Sequence, residues 1–332
     1  MAGHANGRRG RPATRKQCSQ ATLAPQATLA PQATLARQFV EETLKTPFDS
    51  AQGKPNMPLG VLLSIGANFA DRLRRIKGAG FTTMQLVGPS GEWLAEPKRS
   101  EVKQLIAESA IRVTSVAAVY QGESYADVTA VRATVGLLPE ATRGERIQDT
   151  KRCADFAKEV GAPNVSSHIG YIPEDRADQT YSALVAAVQQ ICDYLQRARM
   201  SFCLETGQES AGLLRQFIGD VARGNLKVNF DPANMIAYGT GDPIEALELL
   251  APWVRGVHCK DAVWPPGEGQ LGEERPLGEG AVGMERFLAK LKEVEYEGPL
   301  TIEREVGGEE QMAGFLHGKE LLDQFKARLG IG

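Results

Sequence analysis

From residue 57 onward, runs that read as buried strands alternate with segments of helical period, and this alternation limits the fold more than any other feature. The strand-like runs are LGVLLSIG (59–66), TTMQLVG (82–88), IRVTSVAAVY (111–120), NVSSHIG (164–170), SFCLETG (201–207), LKVNFD (226–231), VRGVHCKD (254–261) and PLTIEREV (299–306). Amphipathic segments such as YSALVAAVQQICDYLQRAR (181–199) and GMERFLAKLKEV (283–294) fall between them. Eight strands, seven intervening helices and a last helix near 316–328 predict a single closed (β/α)8 TIM barrel over residues 57–332. An open doubly wound sheet is the rival architecture, but it usually carries a glycine-rich nucleotide turn after its first strand, and LLSIGANFAD offers one glycine there.

Residues 1–56 are of a different kind. After a basic opening (Arg8, Arg9, Arg11, Arg15, Lys16), the hexapeptide ATLAPQ occurs at 21–26 and 27–32 and returns as ATLARQ at 33–38. The repeat is much shorter than a solenoid unit and its prolines interrupt any helix, so it cannot bury a continuous face. A disordered low-complexity tail is expected. The basic start lacks the aromatic residues that would make it a convincing nucleic-acid arm. Met57 directly precedes the first strand and reads as a native start, so the tail need not belong to the natural protein; N-terminal sequencing of that protein would decide.

Net charge is −3 and the isoelectric point is near 6.0, which argues against nucleic acid or an anionic membrane as a partner and favours a small polar ligand. The five cysteines (Cys18, Cys153, Cys192, Cys203, Cys259) are odd in number and show no CxxC spacing, as expected of reduced thiols in a cytoplasmic protein. No apolar run approaches the roughly 18 residues of a spanning helix.

In a barrel of this type the chemistry gathers where the strands end, because the loops that follow them converge on one mouth. Strand five ends in Glu205, strand six in Asp231, strand seven in His258 and Lys260, strand eight in Glu303. Singly, each has a bland reading: a solvated charge, a helix N-cap, a satisfied histidine. Together they sit at equivalent places, and strand alternation lets all four point inward. Three carboxylates in one mouth repel unless protons or a cation compensate them, and a divalent metal does so economically. An oxygen-rich shell with one imidazole favours Mn²⁺ or Mg²⁺, with Co²⁺ plausible and Zn²⁺ still admissible. Cys203 lies deeper than Glu205, and Cys259 has the opposite parity to His258; both are read as packing residues.

The segments LETGQE (204–209), VNFDPANM (228–235), GVHCKD (256–261) and PLGEGAVGMERFL…YEGPLTIERE (276–305) resemble the xylose isomerase-like barrels of sugar isomerases and epimerases, relatives of inosose dehydratases and endonuclease IV. The resemblance covers roughly 57–328. It implies that Glu205, Asp231, His258 and Glu303 hold one divalent metal. It also implies that Glu205 and Glu303 serve as acid and base, moving a proton beside a sugar carbonyl through a metal-stabilised enediolate. His168, Asn234, Lys260 and, from the long loop 262–283, Arg275 are the expected substrate-binding residues. Two departures argue against a free ketohexose. The ketose 3-epimerases carry His three residues after the metal-binding Asp, where this chain has Asn234, and Arg six residues after the metal-binding His, where it has Trp264. The expected function is a metal-dependent isomerase or epimerase of a sugar or sugar phosphate. A keto-polyol dehydratase of the inosose type is the alternative, and an abasic-site nuclease like endonuclease IV is the reading from another class, disfavoured by the acidic charge and the few histidines. Barrels of this kind often pair, so a homodimer is among the states expected.

Overall fold

The structure, a computed structural model, describes residues 56–332. The tail expected over 1–56, with His4 and Cys18, therefore lies outside the described residues except for Asn56. Eight parallel strands close into a barrel: β1 (Leu59–Ser64), β2 (Thr83–Val87), β3 (Arg112–Ala117), β4 (Asn164–Ser167), β5 (Ser201–Glu205), β6 (Leu226–Phe230), β7 (Val254–Cys259) and β8 (Leu300–Ile302). Neighbours in sequence are neighbours in the sheet, and the ring closes where Leu59 and Val61 of β1 lie opposite Leu300 and Ile302 of β8.

Alternation within each strand decides what faces where. Val61, Leu63, Val228, Phe230, Val257 and Cys259 turn outward into the layer of helices and are buried there. The Phe230 ring stacks 5.6 Å from Phe287 of the helix Met284–Glu293. The inward set is largely polar: Thr83, Gln85, Ser115, Ser166, Lys227, Asn229 and Thr301 are all buried. Ser115 Oγ donates to Ser166 Oγ at 3.2 Å across adjacent strands. Gly60 belongs to this set because a Cβ there would stand 2.4 Å from Thr83 Oγ1. The barrel interior is thus a column of hydrogen-bonding groups rising to the mouth.

Several helices begin where the sequence supplies a side-chain cap. Asp178 accepts from the Thr180 N–H before Gln179–Gln196, Ser210 from Leu213 before Ala211–Val221, and Asp242 from Ile244 before Pro243–Leu250. The helices expected at 181–199 and 283–294 are found at Gln179–Gln196 and Met284–Glu293, and the last runs over Gly308–Leu329. Two crossovers hold an additional short helix, Val128–Thr134 after β3 and Pro232–Tyr238 after β6.

The eighth strand is shorter than its sequence pattern. β7 leaves the barrel after Cys259, and Asp261–Ala262 pair antiparallel with Glu274–Arg275 instead. Beyond Ile302 one backbone bond to β7 remains, from the Glu303 N–H to the Cys259 carbonyl, and Glu303 opens a loop. No helix among the described residues is long and apolar enough to cross a membrane. The described cysteines are all free and buried, as a packing role requires.

Candidate metal centre

Glu205, Asp231, His258 and Glu303 meet at the barrel mouth, with one potential ligand atom from each lying within 4.8 Å of all the others. Each arrives by a local rule. Glu205 is the last residue of β5, and His258 is the inward residue one before the end of β7. Asp231 is both cap and ligand candidate: its Oδ1 accepts from the Asn234 N–H at 2.9 Å and starts the helix Pro232–Tyr238, leaving Oδ2 for the mouth. Thr206 fixes the Asp231 backbone, donating from Oγ1 to its carbonyl at 2.9 Å and accepting from its N–H at 2.8 Å.

His258 Nδ1 lies 2.8 Å from Glu303 Oε2 and 3.4 Å from both Glu205 Oε1 and Asp231 Oδ2. Its other nitrogen, Nε2, is 3.1 Å from Gln85 Oε1 and 3.0 Å from Asn229 Nδ2, while Gln85 Nε2 donates to Asn229 Oδ1 at 3.0 Å. A proton on Nε2 given to Gln85 Oε1 leaves Nδ1 as the ring atom that faces the carboxylates.

Three atoms of this cluster, Asp231 Oδ2, His258 Nδ1 and Glu303 Oε2, are buried without a hydrogen-bond partner. Orphaned polar atoms in a protein interior are rare and costly, and here they converge. A cation accepts lone pairs from all of them at once. The donor set, three carboxylates and an imidazole, therefore fits a divalent metal.

The surrounding cations respond to the carboxylates. Burial opposes a charge on His168, but Glu205, whose Oε1 lies 3.4 Å from His168 Nε2, outweighs it and raises the imidazole to about 9. Burial likewise opposes a charged Lys260, yet Glu303, Asp231 and Glu305 hold its ammonium well above the usual lysine range. Lys260 Nζ stands 3.6 Å from Glu303 Oε2 and 3.8 Å from Asp231 Oδ2, and it donates to Asn234 Oδ1 at 3.2 Å and to Glu305 Oε1 at 2.5 Å. Lys260 is buried, and its neighbour Asp261 is occupied by backbone N–H groups.

Of the expected substrate-binding residues, His168, Asn234 and Lys260 all contact the cluster; Asn234 Nδ2 donates to Glu205 Oε1 at 3.4 Å. Arg275 stands apart, its guanidinium paired with Glu273 at 2.7 Å. His317 serves the fold, with Nε2 3.1 Å from the Leu277 carbonyl.

Several mouth residues escaped sequence reasoning. Gln85 is the inward-facing support of His258, and the signal was a lone amide inside the apolar run TTMQLVG. Glu209 is buried beside the mouth, and burial lifts its carboxyl to about 8 despite the attraction of His168. Tyr125, half-exposed on the loop after β3, holds its ring 6.1 Å from that of His168.

Comparison with known proteins places these features among relatives. A family model described as xylose isomerase-like TIM barrel matches residues 73–325. The crystal structure of a xylose isomerase domain protein from Planctomyces limnophilus is 40% identical, with a TM-score of 0.79, covering 83% of this chain and 99% of that one. A D-tagatose 3-epimerase-like protein is 20% identical with a TM-score of 0.64, covering 82% and 98%; at that identity the likeness is one of fold. An uncharacterized protein of Methanocaldococcus jannaschii is 28% identical over 195 residues, 52% of this chain, and the match spans 63% of that curated relative's length.

Proposed function

The chain belongs to the xylose isomerase-like TIM barrel family, and on that footing we propose that it is a divalent-metal-dependent isomerase or epimerase of a sugar or sugar phosphate. The observation that carries the reading is the convergence of Asp231 Oδ2, His258 Nδ1 and Glu303 Oε2, buried and unpartnered, at the strand ends of one barrel. Glu205, Asp231, His258 and Glu303 are the proposed ligands, with Mn²⁺ or Mg²⁺ preferred for a shell of three carboxylates and Co²⁺ or Zn²⁺ behind. When bound, such a cation supplies positive charge beside a sugar carbonyl, acidifying the neighbouring C–H and offsetting the negative charge that develops.

The chain's own residues supply the proton traffic. Glu205 and Glu303 enter the mouth from non-adjacent strands, β5 and β8, so one can take a proton from a bound carbon while the other returns one from a different side. Burial raises the Glu205 carboxyl, but His168 and His258 override it and hold it well below the usual range, which keeps it in the carboxylate form. Lys260, beside Glu303 and Asn234, would hold a substrate oxygen, and His168, beside Glu205, would donate to another. Arg275 could join them only by leaving Glu273.

The test is to incubate the Mn²⁺-loaded protein with a panel of keto-sugars, free and phosphorylated, in D₂O and follow deuterium gained beside the carbonyl. Glu303→Gln is expected to abolish exchange with the fold intact; full exchange in that variant would remove Glu303 from the acid and base pair. A dehydratase shares the first proton abstraction, and the observation in its favour is Lys260, a buried ammonium beside Glu303 able to hydrogen-bond a leaving hydroxyl. Loss of water, seen as a new ultraviolet absorbance, would select it.

A further inference from the structure

Glu303 sits one residue beyond β8, where the sheet that positions it has run out. Its own N–H still reaches β7, donating to the Cys259 carbonyl at 3.2 Å. In a parallel ladder the next N–H on that side, Glu305, would donate two residues further along β7, at Asp261. That partner is gone, because Asp261 has turned out of the barrel to pair with Arg275. The Glu274 carboxylate takes its place: the Glu305 N–H lies 3.0 Å from Oε2 and 3.2 Å from Oε1.

The same carboxylate accepts from Arg304, whose guanidinium nitrogen is 2.8 Å from Glu274 Oε1. Arg304 is gripped from the other side by the last helix. Gln311 Nε2 donates to its carbonyl at 2.9 Å, Glu310 pairs with its guanidinium at 3.5 Å, and Gly314 leaves room for its stem, since a Cβ there would lie 3.1 Å from Arg304 Cγ. Glu303 is thus bracketed by one backbone bond to the barrel and one to a side chain of the loop 262–283. Glu305, ordered by that second bond, in turn holds Lys260.

We infer that Glu274 is a positioning residue for the metal centre: its carboxylate substitutes for the missing strand and fixes the segment 303–305, so that the Glu303 carboxylate and Lys260 face the ligand cluster. The inference rests on the proposed metal site in its affinity readout only. Outer groups that orient a ligand typically change metal affinity by about 10–100-fold when removed. Glu274 carries weight here because a charge-assisted acceptor serves two donors of one short segment.

Two measurements on the full chain test it. By hydrogen–deuterium exchange, the Glu305 amide is expected to exchange at least ~10-fold faster in Glu274→Ala than in the parent. By Mn²⁺ titration read from the resonance of the free ion, Kd should rise about 10-fold or more in the same variant. Glu274→Gln keeps one carbonyl oxygen for the Glu305 N–H and should restore most of the amide protection and part of the affinity. Unchanged protection at Glu305 overturns the inference, and so does lost protection with Mn²⁺ affinity held within about twofold, which would make Glu274 a loop anchor and nothing more. If the parent binds no Mn²⁺, the functional reading fails, and the Glu305 amide alone decides whether Glu274 holds the segment.

Discussion

His258 Nδ1 stands 2.8 Å from Glu303 Oε2, and neither atom takes part in a hydrogen bond. Closeness of that kind in a buried site requires positive charge nearby, a proton on the imidazole or a cation between the two. Burial disfavours the imidazolium, but Glu303 and Glu205 outweigh it and hold His258 well above its ordinary value. Positive charge on the imidazole is thereby favoured in the metal-free protein. The stability this gives is complete below the ordinary histidine range and is lost as pH rises through the raised value. Glu205 runs the other way: its depressed value adds stability above the ordinary carboxyl range that fades as pH falls through the depressed one.

A cation that takes Nδ1 must displace that proton. Binding of Mn²⁺ near pH 7 should release about one proton per ion, with affinity rising as pH is raised. Calorimetry in two buffers of different ionisation enthalpy measures the release. Binding without proton release would mean that His258 is neutral in the metal-free protein or is not a ligand.

Gln85 is the support that His258 loses most by losing. In Gln85→Leu the imidazole Nε2 has no carbonyl acceptor at 3.1 Å, so the tautomer that exposes Nδ1 is no longer favoured. Mn²⁺ affinity is expected to fall about 10–100-fold, while the far-ultraviolet circular dichroism stays that of the parent. Affinity unchanged in this variant would show that the tautomer is set elsewhere.

The barrel and the convergence of the four side chains were readable because both depend on local pattern: strand alternation places Glu205 and His258 inward, and counting strand ends aligns Asp231 and Glu303 with them. What lay beyond the pattern was tertiary. The departure of β7 at Asp261 shortened β8, and no window around 299–306 carries that information. Gln85 joins His258 across 173 residues of chain, so only its odd polarity within a strand hinted at it. Arg275 was an equally reasonable guess from loop length, but its neighbour Glu273 claims it.

Asp261 pins the loop that departs. Its carboxylate accepts from the N–H groups of Ala262 at 3.0 Å, Gly278 at 3.0 Å and Val282 at 3.1 Å, joining both ends of 262–283. Gly280 has to be glycine for this closure, since a Cβ would sit 2.1 Å from Asp261 Oδ1. Asp261→Ala strands buried donors at a cost of about 1–3 kcal/mol and should free the loop. A glutamate-specific protease is expected to cut after Glu268 or Glu273 at least ~10-fold faster in the variant. Equal cleavage rates would place the anchor outside Asp261.

Lys227 is the inward residue of β6 below Asn229, and its ammonium is buried with no hydrogen-bond partner. Burial, aided by Arg255, lowers it to about 8. A base with a lowered folded value favours its neutral form, so the unfolded chain binds the extra proton between the two values, and stability falls as pH drops from the ordinary lysine range to about 8. Below that the buried charge is a constant cost. Lys227→Met keeps a similar unbranched stem without the charge and should stabilise the protein by roughly 1–3 kcal/mol at pH 7. The gain should shrink as pH climbs from about 8 toward the ordinary lysine value of about 10.4. Denaturant unfolding at pH 7 and pH 10 measures both. A destabilised Lys227→Met variant would mean that the ammonium has a partner in solution, and a gain independent of pH would assign the effect to packing.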